Sequence, residues 1–190
     1  MTIKLGIVMD PISAINIKKD SSFAMLEEAQ KRGYELFYLE MKDLYMQAGR
    51  AFGTMRPLTV KHDYAHWFSL GEVIDQPLSS LDVILMRKDP PFDTEFIYAT
   101  YMLERAEDEG CLIVNKPQSL RDANEKLYTA WFAEHTPTTL VTRRADKLRK
   151  LSTWEVFAYP MDGDASAMGR LPPDAVIVLD INKLATEKKG

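Results

Sequence analysis

Short apolar runs alternate with amphipathic helical patterns over the first 135 residues of this 190-residue chain, and that alternation limits the fold more than any other feature. Residues 3–9 form a nearly continuous apolar run, as a strand covered on both faces requires. Residues 21–32 then repeat apolar side chains at helical spacing, with Phe23, Leu26 and Ala29 on one face. Glu27 and Glu28 stand four residues before Lys31 and Arg32, the favourable orientation for i,i+4 pairs, and Gly33 fits the position just past a helix end. A second strand is expected at 34–40, a third at 82–86 and a fourth at 111–115. Between the last two, Asp93 can cap a helix through Glu109, with Phe96, Ala99, Leu103 and Ala106 as its buried stripe and Gly110 closing it. Strand and helix in this order make βαβ units, which demand a mostly parallel sheet and right-handed crossovers. The fold class is therefore α/β.

The remaining segments are less regular. Residues 44–47 and 51–60 can form a hairpin around Ala48-Gly49-Arg50, with Trp67 and Phe68 anchoring the excursion to the core. Ser119 can cap a further helix carrying Leu120, Ala123, Leu127, Ala130 and Trp131. After His135 the composition changes. Strands are expected at 136–142, 156–159 and 175–179, and residues 183–189 read as a polar, frayed end. Arg143, Arg144, Lys147 and Arg149 make a basic stretch that reads as a solvated helix face.

Composition narrows the function classes. A net charge of −4 argues against a general nucleic-acid binder. No apolar stretch is as long as a membrane span, and the N-terminus lacks the regions of a signal peptide. The single cysteine, Cys111, heads an apolar run and reads as a buried structural thiol, so the cytosol is the expected compartment. His62 and His66 are four apart, but no third ligand accompanies them, so no metal site is expected.

Chemistry concentrates at the turns that follow the strands. Open α/β sheets bind ligands at strand carboxyl ends. There the chain carries Asp10 to Asn16, then Arg87-Lys88-Asp89 held by two prolines, then Asn115-Lys116-Pro117. Two cations followed by an anion suit an anionic, zwitterionic or phosphorylated ligand, and Asp10 can hold an ammonium group or simply shape its turn. No G-x-G-x-x-G, P-loop or G-x-S-x-G motif is present.

Several blocks carry a resemblance: Met9-Asp10-Pro11, the run from Ile15 to Ser22, Met-Arg-Lys-Asp-Pro-Pro-Phe-Asp-Thr-Glu-Phe-Ile-Tyr-Ala-Thr from Met86, and the run from Val114 through Asn-Glu-Lys at Lys126. Together they resemble the bacterial glutathione synthetase family, over about residues 3–143. That family belongs to the ATP-grasp ligases. It joins γ-glutamylcysteine to glycine with ATP and magnesium, through an acyl phosphate. The resemblance implies a Rossmann-like pre-ATP-grasp domain over 1–135 and an incomplete, divergent α+β lid segment over 136–190. It implies a dipeptide site at Asp10, Asn16, Arg87 and Asp89, a nucleotide-phosphate contact at Lys126, and a homo-oligomer. No residue of this chain is assigned a catalytic or metal-binding role.

The chain also departs from the family pattern. Tyr159 stands where a phosphate-contacting lysine belongs, and the following loop, Met161-Asp162-Gly163-Asp164-Ala165-Ser166, has lost glycines and gained Asp164. A phenol does not neutralise phosphate, an added carboxylate repels it, and a glycine-poor loop holds its amides further away. The sequence ends at Gly190, ahead of the family's adenine pocket, magnesium ligands and glycine site. The isolated chain is therefore expected to bind a γ-glutamylcysteine-like peptide weakly, to hold ATP loosely and not to turn over. The alternative is a non-catalytic binding or dimerisation module derived from the same family.

Overall fold

The computed structural model describes residues 2–89, 91–123 and 127–136, and the backbone of 157–159 and 176–178. The chain divides into two compact units. One comprises 1–89 and 94–121, the other 90–93 and 122–190.

In the first unit, β1 (Lys4–Val8) is the centre of a parallel set. It pairs on one side with β2 (Glu35–Leu39), in the register Lys4 to Glu35 and Val8 to Leu39. On its other side lies β7 (Val83–Met86), with Leu5 opposite Val83, and β8 (Leu112–Val114) follows β7. All four strands expected from the apolar runs are present and mutually parallel.

The excursion between β2 and β7 extends the same sheet in the antiparallel sense. β3 (Leu44–Gln47) and β4 (Arg50–Val60) form the expected hairpin. Its turn residues, Ala48 and Gly49, have φ of 49° and 78°. Positive φ at both central positions is what a two-residue turn matching strand twist requires. β4 lies antiparallel to β2, pairing Leu36 with Leu58 and Tyr38 with Arg56. Two short strands also pair with β4: β5 (Phe68–Leu70) against its second half and β6 (Ile74–Pro77) against its first. The sheet thus has eight strands.

One helix covers each face. α1 (Ser21–Lys31) buries Phe23, Leu26 and Ala29 against Leu5, Ile7, Leu36, Tyr38 and Leu58. Asp20 caps it, its carboxylate accepting the Phe23 N–H at 2.8 Å. α2 (Thr94–Asp108) buries Phe96, Ala99, Leu103 and Ala106 against Val8, Leu39, Ile84 and Met86. Alternate residues of β1 therefore serve opposite faces, which explains its nearly unbroken apolar sequence. Each large side chain fully removed from water contributes about 1.5–3 kcal/mol.

Three local expectations need correction. Of the two i,i+4 pairs on α1, Glu28 does meet Arg32 at 2.8 Å, but Glu27 turns to His62 Nδ1 at 3.2 Å. The third helix, α3 (Pro117–Asp122), begins at Pro117, so Ser119 lies inside it and is not its cap. Proline is favoured at the first helical position, where the missing N–H costs nothing. Nor does this helix run on to Trp131. Residues Tyr128–His135 form a separate 3-10 stretch, kinked at Phe132 (φ −127°, ψ 44°), in which Tyr128 and Trp131 stack at 5.2 Å.

In the second unit, β9 (Phe157–Tyr159) and β10 (Val176–Val178) fall within the strands expected at 156–159 and 175–179. They pair antiparallel, Tyr159 opposite Val176. Of the strand expected at 136–142 only Thr136 is described, as a bend; its other residues, the basic stretch from Arg143, the loop at 160–166, the polar end and Lys126 lie outside the described residues.

Candidate functional site

Strand geometry brings three turns to one edge. The chain leaves β1 toward β2 and later places β7 on the other side of β1. The carboxyl ends of β1 and β7 therefore flank the point where the winding direction reverses. The ladder continues a little beyond the strands: the Arg87 N–H donates to the Val8 carbonyl at 2.7 Å and the Met9 N–H to the Leu39 carbonyl at 3.1 Å. This fixes Asp10 and Arg87-Lys88-Asp89 side by side.

Asp10 is the hub. Its Oδ1 lies 3.0 Å from Lys88 Nζ, and its Oδ2 accepts the Asp89 N–H at 3.0 Å. Lys88 Nζ also donates to the Asp89 carbonyl at 2.6 Å. The Lys88 side chain is 18% exposed and that of Asp10 37%, so this is a half-buried pair lining a cavity. Arg87 takes another direction. Its guanidinium donates to Ser21 Oγ at 2.8 Å and Ser22 Oγ at 3.1 Å, in the first turn of α1. Among the described residues it meets hydroxyls and no carboxylate. Asn16 organises the turn itself: its Oδ1 accepts the Lys18 N–H, and its carbonyl accepts the N–H groups of Lys19 and Asp20. Asp10, Lys88 and the backbone of Asp89 are thus brought together, while Arg87 and Asn16 serve the adjoining turn and helix start.

A crevice of about 550 Å³ opens beside this cluster, between the strand ends and the first turns of α2. Its charged lining is Asp10, Glu40, Lys42, Lys88 and Glu95, and Tyr98 and Met102 supply an apolar wall. Glu40 and Lys42 pair at 2.9 Å. Such a lining offers both signs of charge within one concavity, as a zwitterion with carboxylates and an ammonium group requires. A second crevice of about 280 Å³ shares Pro11, Glu40 and Lys42 and continues past Ile12 and Tyr38 to Arg56. Burial raises the Tyr38 phenol above its usual range, so it remains a hydrogen-bond donor.

The sequence reading passed over Glu40, Lys42, Glu95, Ser21 and Ser22. Glu40 and Lys42 follow a parallel strand just as Asp10 follows β1, so the strand-end rule applied to residues 40–42 finds them. Among the described residues no group of three or more His, Cys, Asp or Glu side chains is placed to hold a metal ion. No helix among them is long and apolar enough to cross a membrane.

The doubly covered sheet, the reversal point and the charged crevice at the strand carboxyl ends define an α/β domain of the Rossmann-like, pre-ATP-grasp class. The model of one family, described as the prokaryotic glutathione synthetase N-terminal domain, matches residues 3–121. The chain belongs to that family. It is similar to glutathione synthetase of Shewanella oneidensis, 68% identical over 163 residues, which are 85% of this chain and 52% of that protein. Glutathione synthetase of Yersinia pestis is 66% identical over 163 residues, 85% of this chain and 51% of that protein. That of Escherichia coli K12 is 64% identical over 169 residues, 87% of this chain and 53% of that protein. The chain therefore spans about half the length of the curated relatives it matches. Among solved structures, the ATP-grasp ligase PsnB complexed with its minimal precursor is 13% identical with a TM-score of 0.48, over 95% of this chain and 64% of that one.

Proposed function

We propose that this chain is the substrate-side part of a glutathione synthetase, acting in the cytosol, and that by itself it does not complete the ligation. Membership of the family carries the substrate-side assignment, and Tyr159 in place of a phosphate-contacting lysine motivates the expected lack of turnover. The full reaction joins γ-glutamylcysteine to glycine with ATP and magnesium. This chain contributes the dipeptide-facing crevice. Asp10 and Lys88 form its charged floor, and Asp89 fixes Asp10 through its N–H. Asn16 shapes the adjoining turn that leads into α1, and Arg87, held beside it by Ser21 and Ser22, is the cation proposed to meet a substrate carboxylate.

Lys126 is assigned to the nucleotide phosphates. Tyr159 stands at the position of the second phosphate lysine, and phosphoryl transfer depends on positioning and charge stabilisation. Removing a single stabilising donor costs about 10²–10³ in rate, and here one of the two lysines is replaced. Among the described residues no group of three or more His, Cys, Asp or Glu side chains gathers at one point, and no step is assigned to the metal here.

The test is to incubate the purified chain with γ-glutamylcysteine, glycine, magnesium and ATP, following phosphate release and product mass, and to titrate the dipeptide alone by calorimetry. The expected result is weak dipeptide binding, lowered about tenfold by Arg87→Ala, with no turnover. Product above a no-protein control, abolished by Lys126→Ala, overturns the inactivity. Absence of any dipeptide binding overturns the substrate-side assignment.

A further inference from the structure

We infer that the segment between β4 and β5 is a brace for the turn that walls the crevice, and that Trp67 is its positioning residue; the inference rests on the dipeptide reading above. The turn after β1 carries Asp10 and Pro11, both part of the crevice lining. Its next residue, Ile12, is 2% exposed and is pinned by both polar atoms of its backbone. The Trp67 indole N–H donates to the Ile12 carbonyl at 2.9 Å, and the Ile12 N–H donates to the Tyr38 hydroxyl oxygen at 3.2 Å. Tyr38 in turn donates to Glu40 Oε1 at 2.9 Å, and Glu40 Oε2 holds Lys42. A chain of contacts therefore runs from Trp67, 55 residues downstream, through the two backbone polar groups of Ile12 to the charged rim of the crevice.

The rest of the segment grips the same region. Lys18 Nζ lies 5.0 Å from the centre of the Tyr64 ring. His62 meets Glu27, and the Gln30 side chain makes two hydrogen bonds with the Val60 backbone, at 2.6 and 2.8 Å. Yet Tyr64 is 58% exposed and the His62 side chain 55%, so these residues add little apolar burial. Their contacts point to restraint of the turn and α1 as their work. A turn so held is presented to its ligand already ordered, which removes an entropic cost of binding.

The experiment uses the full chain and three variants: Trp67→Phe, Tyr38→Phe and the double change. Both substitutions keep an aromatic ring; Tyr38→Phe removes the hydroxyl alone, whereas Trp67→Phe removes the indole N–H together with part of the bicyclic ring, and the thermal midpoint reports the packing share of that loss. Three quantities are measured: hydrogen exchange at residues 11–20, dipeptide affinity by calorimetry, and the thermal midpoint. Trp67→Phe should speed exchange at 11–20 about tenfold while leaving β1 and α2 unchanged, and should weaken γ-glutamylcysteine binding about tenfold. The double variant should lose less affinity than the product of the two single losses, because both act on the backbone of one residue, Ile12. Unchanged exchange at 11–20, uniform acceleration across the core, or fully multiplicative losses overturn the brace. If Trp67→Phe fails to fold, Tyr38→Phe alone must show the local exchange effect or the idea fails. If the unmodified chain binds no dipeptide, the functional reading falls, and the exchange measurement still decides the brace.

Discussion

At the scale of single residues, two titrating groups show opposite ways in which the fold sets a proton. Cys111 is 2% exposed, and burial pushes its thiol up to about 12. The neutral form is favoured in the folded chain, so this group contributes stability below about pH 9 and loses it as pH rises toward 12. Because the thiolate is the nucleophile, Cys111 in the folded chain should react with a disulfide reagent at pH 8 about 10³-fold more slowly than in urea. Comparable rates in the two states would contradict the buried-thiol reading. Asp63 is held down to about 2 by the N–H groups of Ala65 and His66 and by Lys61 Nζ at 3.0 Å. Its ionised form is favoured, so its contribution is present above about pH 4 and is lost as pH falls through 2. The Ala65 and His66 amide resonances should therefore shift together with a midpoint near 2, and Asp63→Asn should abolish that shift. A midpoint at the ordinary carboxylate value would mean the turn is not held as described.

At the scale of elements, close packing of β4 against Leu39 of β2 and against Leu78, which follows β6, makes a glycine in β4 sensitive. A Cβ on Gly53 would lie 2.6 Å from Leu39 Cδ2 and 2.8 Å from Leu78 Cδ2, and both leucines are fully buried. Gly53→Ala should cost about 1–3 kcal/mol in urea unfolding through overpacking, whereas a neutral result would show that both leucines have room to move. β1, β2, β7 and β8 were legible because buried parallel strands leave unbroken or alternating apolar runs. The hairpin was legible because Gly49, which takes positive φ freely, separates two strand-like runs, although Ala48 also adopts a φ of 49° that side chains disfavour. β5 and β6 were not, since Ile74-Asp75-Gln76-Pro77 has no apolar periodicity and is a strand only by pairing with β4. Within the site, Asp10 and its neighbours at Lys88 and Asp89 followed from the strand-end rule. The direction of Arg87 did not, because the two serines it meets are 65 and 66 residues away in sequence. Ser119 misled because a good capping residue two positions after a proline competes with a better helix start.

At the scale of the molecule, the matched family domain and the first compact unit both end at Arg121, while the change in composition comes after His135. The residues that make up the two buried clusters all lie between Leu5 and Ile113. Arg121 closes this core from outside. Its guanidinium bonds both oxygens of Glu104 at 3.0 and 2.9 Å and Thr100 Oγ1 at 3.1 Å, and stacks 4.5 Å from the centre of the Tyr101 ring. Among the described residues, none after it is a buried member of either cluster. A domain of this size buries enough surface to be stable alone. A fragment of residues 1–135 should therefore unfold in one cooperative transition, seen at the same urea concentration by circular dichroism and by Trp67 fluorescence in a Trp131→Phe background. Shortening it to 1–123 should leave that midpoint within about 0.5 M urea, a change of about 1 kcal/mol at typical denaturant slopes. Arg121→Ala should lower it further than the shortening does, because it leaves half-buried Glu104 without its partner. Loss of cooperative unfolding in the 1–135 fragment would mean that residues 136–190 are part of the same folding unit.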